Sequence, residues 1–262
     1  AIAAYGADIV RIAGNYDESV QEAARLAAAH GWQVIADTSY DGYEDIPRDV
    51  MQGYGAIAEE IVEQTSAQRG RAGAFTHVFL QGGVGGMAAG LASYFWEYHG
   101  AQRPCVISVE PAQADCLLQS AIQGRPAKAT GTVDSVMAGL ACGETSPLAW
   151  RFLQPCVDVF MTIEDEQAIE AMRTLAQGSE RDTPIVAGES GVAGLAALEW
   201  LRSDPQRSEQ VGLTAESRVL IISTEGATAP REYTRLVGQS AEQVLQRQQA
   251  WQAAHALQTQ PA

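Results

Sequence analysis

Phe79-Leu80-Gln81-Gly82-Gly83-Val84-Gly85-Gly86-Met87 is the stretch on which the reading of this chain turns. An apolar run, His77-Val78-Phe79-Leu80, leads into four glycines, and Ala88-Ala89-Gly90-Leu91-Ala92 continues in small residues suited to a closely packed helix. Strand, glycine turn and helix in that order gather backbone N–H groups at a helix start, where the helix dipole adds attraction for an anion. A phosphate is the natural guest, held by the main chain of Gly82, Gly83, Val84, Gly85 and Gly86. The plain alternative is a tight turn whose glycines only permit close packing. Neither G-x-G-x-x-G nor G-x-x-x-x-G-K-[ST] occurs here, so an ATP-hydrolysing P-loop is excluded and a dinucleotide fold is weakly supported.

Outward from that turn the chain alternates between strand-like and helical stretches. Val106-Ile107-Ser108-Val109, Val157-Asp158-Val159-Phe160 and Val219-Leu220-Ile221-Ile222 read as buried strands, and residues 7–12 and 33–36 as two more. Near-continuous apolar strands alternating with helices predict an α/β fold, with mostly parallel sheets covered by helices on both faces. Asn15 and Asp17 suit the cap of a helix carrying Val20, Ala24 and Leu26. A loop over residues 38–47 leads to a helix with Val50, Tyr54, Ile57 and Ile61 on one face. Residues 64–74, with Arg69-Gly70-Arg71 and Gly73, read as a linker, and residues 240–262 as an exposed terminal helix that frays at its end.

Composition narrows the function classes. The 262 residues carry 17 Lys+Arg against 32 Asp+Glu, a formal net charge of −15. With no basic cluster, that charge argues against nucleic acid and anionic membrane surfaces as partners. The longest apolar stretch, residues 84–96, is too short to span a bilayer, and no secretory signal is read at the start. Cys105, Cys116, Cys142 and Cys156 lack zinc-site spacing, so no metal is expected. Buried free thiols in a cytoplasmic protein are the plain reading, with Cys116 and Cys142 the pair that could bridge two loops. His30, His77, His99 and His255 have no partners at a hydrolase-triad spacing.

The glycine run resembles the phosphate loop of the fold-type-II pyridoxal-phosphate enzymes, the tryptophan synthase β-like group that includes serine and threonine dehydratases. Asp37-Thr38-Ser39-Tyr40-Asp41-Gly42-Tyr43-Glu44-Asp45-Ile46-Pro47, followed by Met51-Gln52-Gly53-Tyr54, is similar to a stretch of the diaminopropionate ammonia-lyases. So are Val109-Glu110-Pro111, Met137-Ala138-Gly139-Leu140-Ala141-Cys142-Gly143-Glu144 and Ser223-Thr224-Glu225-Gly226. Ala187-Gly188-Glu189-Ser190-Gly191-Val192-Ala193-Gly194 resembles the wider dehydratase group. The resemblance runs from about Ala1 to Tyr233 in order. Ala227 departs from it, standing where an acidic residue is expected.

The resemblance implies pyridoxal 5'-phosphate as cofactor and α,β-elimination of 2,3-diaminopropionate to pyruvate and ammonia, in a homodimer acting on a small amino acid. A serine or threonine dehydratase or a threonine-synthase-like enzyme is the alternative within the cofactor class. A non-catalytic α/β module binding a phosphorylated ligand is the alternative outside it. Residues 1–70 would be the remainder of a smaller domain with a crossover helix, and residues 75–262 a larger cofactor-binding domain. By resemblance the Gly82–Gly86 main chain holds the phosphate, Ser223 or Thr224 meets the pyridine nitrogen, and Asp37 is the catalytic residue that faces the substrate, holding its β-ammonium or taking part in proton transfer. Tyr40, Tyr43, Glu144 and Glu189 would line the substrate side. Lysine is the gap. The 17 cations are 16 Arg and Lys128 alone, which follows the glycine loop in a surface-type segment. The family places its cofactor lysine ahead of that loop. Either the chain is that of an enzyme incomplete at its N-terminus, the favoured reading, or it is a homologue that has lost the catalytic lysine; in both cases this chain alone is read as inactive.

Overall fold

Four apolar segments pair into one parallel sheet. β1 (His77–Gln81), β2 (Cys105–Pro111), β3 (Val159–Ile163) and β4 (Val219–Ile221) stand in the order β3-β2-β1-β4. All three pairings are parallel, with Phe79 opposite both Ile107 and Ile221. The computed structural model describes residues 2–69 and 74–256. In chain order the helices before β2 are α1 (Tyr16–His30), α2 (Asp45–Gly53), α3 (Gly55–Arg69) and α4 (Gly86–His99). After β2 come α5 (Cys116–Gln123), α6 (Pro147–Cys156), α7 (Asp165–Gln177) and α8 (Ala193–Arg202). α9 (Pro205–Gln210), α10 (Pro230–Val237) and α11 (Ala241–Ala256) complete the set.

The period-two geometry of a strand divides the core. Val78, Leu80 and Val106 join Leu91 and Phe95 of α4 and Leu148 and Leu153 of α6 on one face. Phe79, Ile107 and Val109 join Met172 of α7, Ala197 of α8 and Tyr233 of α10 on the other. All five residues of β1 are buried, as a central parallel strand requires. The expected α/β architecture, with helices on both faces, is what the chain adopts. α2 lies close against α4: a Cβ at Gly90 would come within 2.4 Å of the Met51 carbonyl.

Several expectations are corrected. Residues 7–12 and 33–36 form no strand. They are apolar enough, but a strand exists only by pairing, and no backbone–backbone hydrogen bond ties them to another segment among the described residues. The third expected strand begins later, at Val159, because Asp158 turns its carboxylate back to accept from Val106 N and Arg103. Asn15 caps α1 as expected, in a capping box with Glu18, while Asp17 sits in the first turn. The helix read around Val50 to Ile61 is two helices meeting at Tyr54, and the first starts at Asp45, inside the expected loop. α3 runs through the first part of the expected linker, to Arg69; residues 70–73 lie outside the described residues. α11 is not merely exposed, since Val244 is fully buried and Trp251 Nε1 donates to Ser179 O; residues 257–262 lie outside the described residues. All four cysteines are free, so Cys116 and Cys142 are not bridged. No helix among the described residues is long and apolar enough to cross a membrane.

Candidate functional site

Parallel strands deliver their loops to one edge, and ligands settle in the crevice there. At the C-terminal ends of β1 and β4 the structure has a cavity of about 790 Å³. Its floor is the glycine turn. Gly85 adopts φ +102°, which turns the chain into α4, and a Cβ there would meet Leu153 Cδ1 at 2.7 Å. A Cβ on Gly83 would stand 3.0 Å from the Cys142 sulfur. The N–H groups of Gly83, Gly85, Gly86 and Met87 have no acceptor among the described residues. They are the orphan donors of a helix start, brought to one place by the turn.

Gly82 behaves differently from the other four residues of the expected cradle. Its N–H donates to Val109 O at 2.9 Å, extending the sheet, and it does not line the cavity. A Cβ there would strike Leu117 Cδ1 at 2.5 Å. Gly82 thus extends the sheet, and the N–H groups left without an acceptor among the described residues are those of Gly83, Gly85, Gly86 and Met87. Val84 lines the cavity too, but its N–H is directed at the Cys142 sulfur. α5 is placed against this turn by Glu110. That fully buried carboxyl, at the end of β2, accepts from Leu117 N at 2.7 Å and Leu118 N at 2.8 Å. Burial pushes Glu110 up to about 8, against the pull of those two N–H groups.

Asp37 lines the same cavity beside the glycine turn, its carbonyl 3.5 Å from where a Cβ on Gly86 would stand. Tyr16 Oη donates to its Oδ1 at 3.0 Å, which orients the carboxylate and leaves the other oxygen to the cavity. Burial first, then the charge of Asp37, raises the Tyr16 phenol well above its ordinary range, so Tyr16 stays a donor at neutral pH. The segment carrying Asp37 is pinned beside the cradle by Ser39: its N–H donates to Ser146 Oγ, and its hydroxyl accepts from Leu148 N at 2.8 Å. Burial, with Asp37 next, pushes the Cys142 thiol up to about 12, so it faces the cavity uncharged.

Of the two hydroxyls at the end of β4, Thr224 lines the cavity and Ser223 does not. Thr224 Oγ1 accepts from Gln81 Nε2 at 3.0 Å. The remaining expected residues scatter. Tyr43 is a structural brace, its hydroxyl donating to Val34 O and accepting from Ala36 N. Glu189 is buried behind Ser190 without lining the cavity, and burial raises its carboxyl. Tyr40 and Glu144 line a second cavity of about 690 Å³, which shares Tyr16 with the first. Glu144 there pairs with Lys128 at 2.5 Å, and Lys128 is 76% exposed.

Tyr16, Gln81, Cys142 and Glu225 are contributors that local sequence reading missed. Glu225 ties the loops together, accepting from Ser190 N at 2.7 Å. Adjacency to the glycine run is the one signal that marks Gln81. Nothing local marks Tyr16, whose partner lies 21 residues away. Ala227, where the resemblance expects an acid, packs half-buried against the apolar core.

The residues present fit pyridoxal phosphate. The N–H donors of the glycine turn, the Thr224 hydroxyl and the Asp37 carboxylate line one cavity, a donor and acceptor set whose chemistry suits a phosphate, a ring nitrogen and an amino-acid substrate. Comparison with known proteins agrees. A family model described as pyridoxal-phosphate dependent enzyme matches residues 1–225. The chain is 40% identical over 240 residues to diaminopropionate ammonia-lyase of Escherichia coli (strain K12), covering 90% of this chain and 60% of that protein. It is 27% identical over 248 residues to a probable D-serine dehydratase of Pseudomonas aeruginosa, covering 88% of this chain and 52% of that protein. Among solved structures, the Escherichia coli diaminopropionate ammonia lyase in complex with an aminoacrylate-PLP azomethine reaction intermediate superposes with a TM-score of 0.81. That match is 38% identical and covers 90% of this chain and 60% of the other. The chain therefore spans about 60% of the length of the ammonia-lyase it matches.

Proposed function

The chain belongs to the pyridoxal-phosphate dependent enzymes, and from that premise we propose that it carries the cofactor cradle and substrate acid of an ammonia-lyase. The reaction proposed is α,β-elimination of 2,3-diaminopropionate to pyruvate and ammonia. The observation that carries this reading is the Tyr16-oriented carboxylate of Asp37 in the same cavity as the Gly83–Gly86 cradle.

When bound, pyridoxal phosphate supplies an electron sink for the substrate carbon that loses its proton. The N–H groups of Gly83, Gly85, Gly86 and Met87 hold the phosphate at the start of α4, where the dipole favours its charge. Thr224 holds the pyridine nitrogen as a neutral partner. Asp37 takes part in proton transfer and, through the oxygen Tyr16 leaves free, holds the β-ammonium of the substrate. That pairing favours a side-chain amine over the hydroxyl of serine, because a carboxylate attracts an ammonium more strongly than it does a neutral group. Tyr40 and Glu144 belong to the neighbouring cavity and contribute to the approach rather than to the chemistry.

Lys128 is exposed, paired with Glu144, and outside the cofactor cavity. These 262 residues accordingly bind the cofactor without holding it covalently, and by themselves do not turn over. The division into residues 1–70 and 75–262 belongs to the same proposal, supported by a sheet formed entirely between His77 and Ile221. So do a homodimer, read out by light scattering, and a cytoplasmic location, supported by four free cysteines.

The test supplies pyridoxal phosphate to the chain alone, and to the chain joined to the segment of the Escherichia coli relative that it does not match. The chain alone is expected to bind the cofactor non-covalently and to release no pyruvate. The joined protein is expected to release pyruvate from diaminopropionate but no 2-oxobutyrate from L-threonine. In that protein Asp37→Asn should lower kcat by roughly 10²–10⁴-fold, the usual loss for a proton-transfer group. A joined protein preferring threonine or serine makes it a dehydratase. A chain with no affinity for pyridoxal phosphate leaves a module for some other phosphorylated ligand.

A further inference from the structure

Gln81 is the last residue of β1 and only 3% exposed. Its side-chain amide bridges to the neighbouring strand, Nε2 donating to Ile222 O at 2.8 Å and to Thr224 Oγ1 at 3.0 Å. A main-chain carbonyl can only accept, so the nitrogen of the amide has to face Ile222, and the orientation of the amide is fixed. Both hydrogens of Nε2 are then engaged. The other end of the amide, Oε1, is buried without a partner. A buried orphan acceptor is destabilising, so its presence at this position calls for an explanation.

The consequence falls on Thr224. Its oxygen already accepts from Gln81, so its own hydrogen is left over, on a side chain that lines the cavity. Accepting a hydrogen bond also strengthens a hydroxyl as a donor. We propose that Gln81 is a positioning residue that turns the Thr224 hydroxyl into a hydrogen-bond donor aimed at the cofactor's pyridine nitrogen, keeping that nitrogen an unprotonated acceptor. The inference rests on Thr224 as the ring-nitrogen partner in the proposed function. It adds a second role at the same strand end: Gln81 directly precedes the glycine turn, so one residue links the phosphate end of the site to the ring end.

The test uses the chain loaded with pyridoxal phosphate isotopically labelled at the ring nitrogen, with the nitrogen and phosphorus NMR shifts of the bound cofactor as readouts. The wild type should show an unprotonated nitrogen. Gln81→Glu places an acceptor where the donor stood; the Thr224 hydrogen turns toward it, and the ring nitrogen should move to the protonated shift while the phosphorus shift stays put. Gln81→Met frees the Ile222 carbonyl to take the Thr224 hydrogen, and should weaken cofactor binding by about tenfold, the loss of roughly one hydrogen bond, again without moving the phosphorus signal. If Gln81→Glu does not fold, Gln81→Met decides. A nitrogen shift unmoved in Gln81→Glu, or affinity unmoved in Gln81→Met, overturns this inference alone. No binding of pyridoxal phosphate to the wild type overturns the proposed function along with it.

Discussion

Gly85→Ala is expected to lower the thermal transition of the protein by roughly 5–15 °C and to weaken pyridoxal-phosphate binding by more than tenfold. Two costs add. At φ +102° an alanine carries left-handed strain of about 1–2 kcal/mol. Its Cβ would also stand 2.7 Å from Leu153 Cδ1, 3.2 Å from Leu117 Cδ2 and 3.3 Å from Ala149 Cβ. Leu153 and Leu117 are fully buried, so they cannot swing away into solvent, and overpacking of this kind costs about 1–3 kcal/mol. In a domain of this size each kcal/mol is worth about 2–4 °C. Relief comes by shifting the start of α4, which moves the N–H groups of Gly85, Gly86 and Met87 off their common focus. Gly124→Ala is the control. It has a comparable positive φ of +67° but open space around its Cβ, and lies outside the cofactor cavity. It should lose about 1 kcal/mol from strain and leave cofactor affinity unchanged. Calorimetry and fluorescence titration separate the two. Equal effects of both variants on binding would remove Gly85 from the cradle.

Stability is also expected to fall as pH rises from about 4.5 to about 8, because of Glu110. Its carboxyl is pushed to about 8 in the folded protein, against an ordinary 4.5. Inside that window the folded state keeps a proton that the unfolded chain has released. Each pH unit then costs about 1.4 kcal/mol at most. The contribution is full below the unfolded value and is lost as pH rises through the folded one. Urea midpoints across this range should therefore decline, and Glu110→Gln should flatten the slope. Glutamine has one oxygen for the two donors, Leu117 N and Leu118 N, so it leaves one of them unsatisfied at a cost of about 1–3 kcal/mol at every pH. A midpoint rising over the same range, or an unchanged slope in Glu110→Gln, would show that the carboxyl is ionised in the fold. Because Leu117 packs on Gly82 and Gly85, the loosening should carry to the cradle and weaken cofactor binding at alkaline pH.

The parts of the fold that were legible in advance are those whose cause is local. Apolar runs such as Val78 to Leu80 must be buried, and small residues after a glycine run must pack closely; both follow from composition within a few residues. Residues 7–12 and 33–36 share that composition yet form no strand, because pairing depends on a partner that no local pattern reveals. The site divides the same way. Glycines between strand and helix marked the cradle, but only the sheet showed that the Gly82 N–H belongs to Val109. Asp37 was legible after an apolar run; that Tyr16 orients it was not.

By itself, the sequence determined the layer architecture, the glycine turn and its place after a central strand, and the presence of a single lysine among 262 residues. Tertiary structure decided which hydroxyl lines the cavity, which glycine N–H the sheet takes up, and which amide meets Thr224. These choices rest on pairs such as Gln81 with Thr224, 143 residues apart. Neighbouring residues in an extended segment leave it in different directions, so Ser223 and Thr224 are equivalent as letters and inequivalent in space. A hydrogen bond needs its partners within about 3 Å and in line, and only the packed chain brings them there.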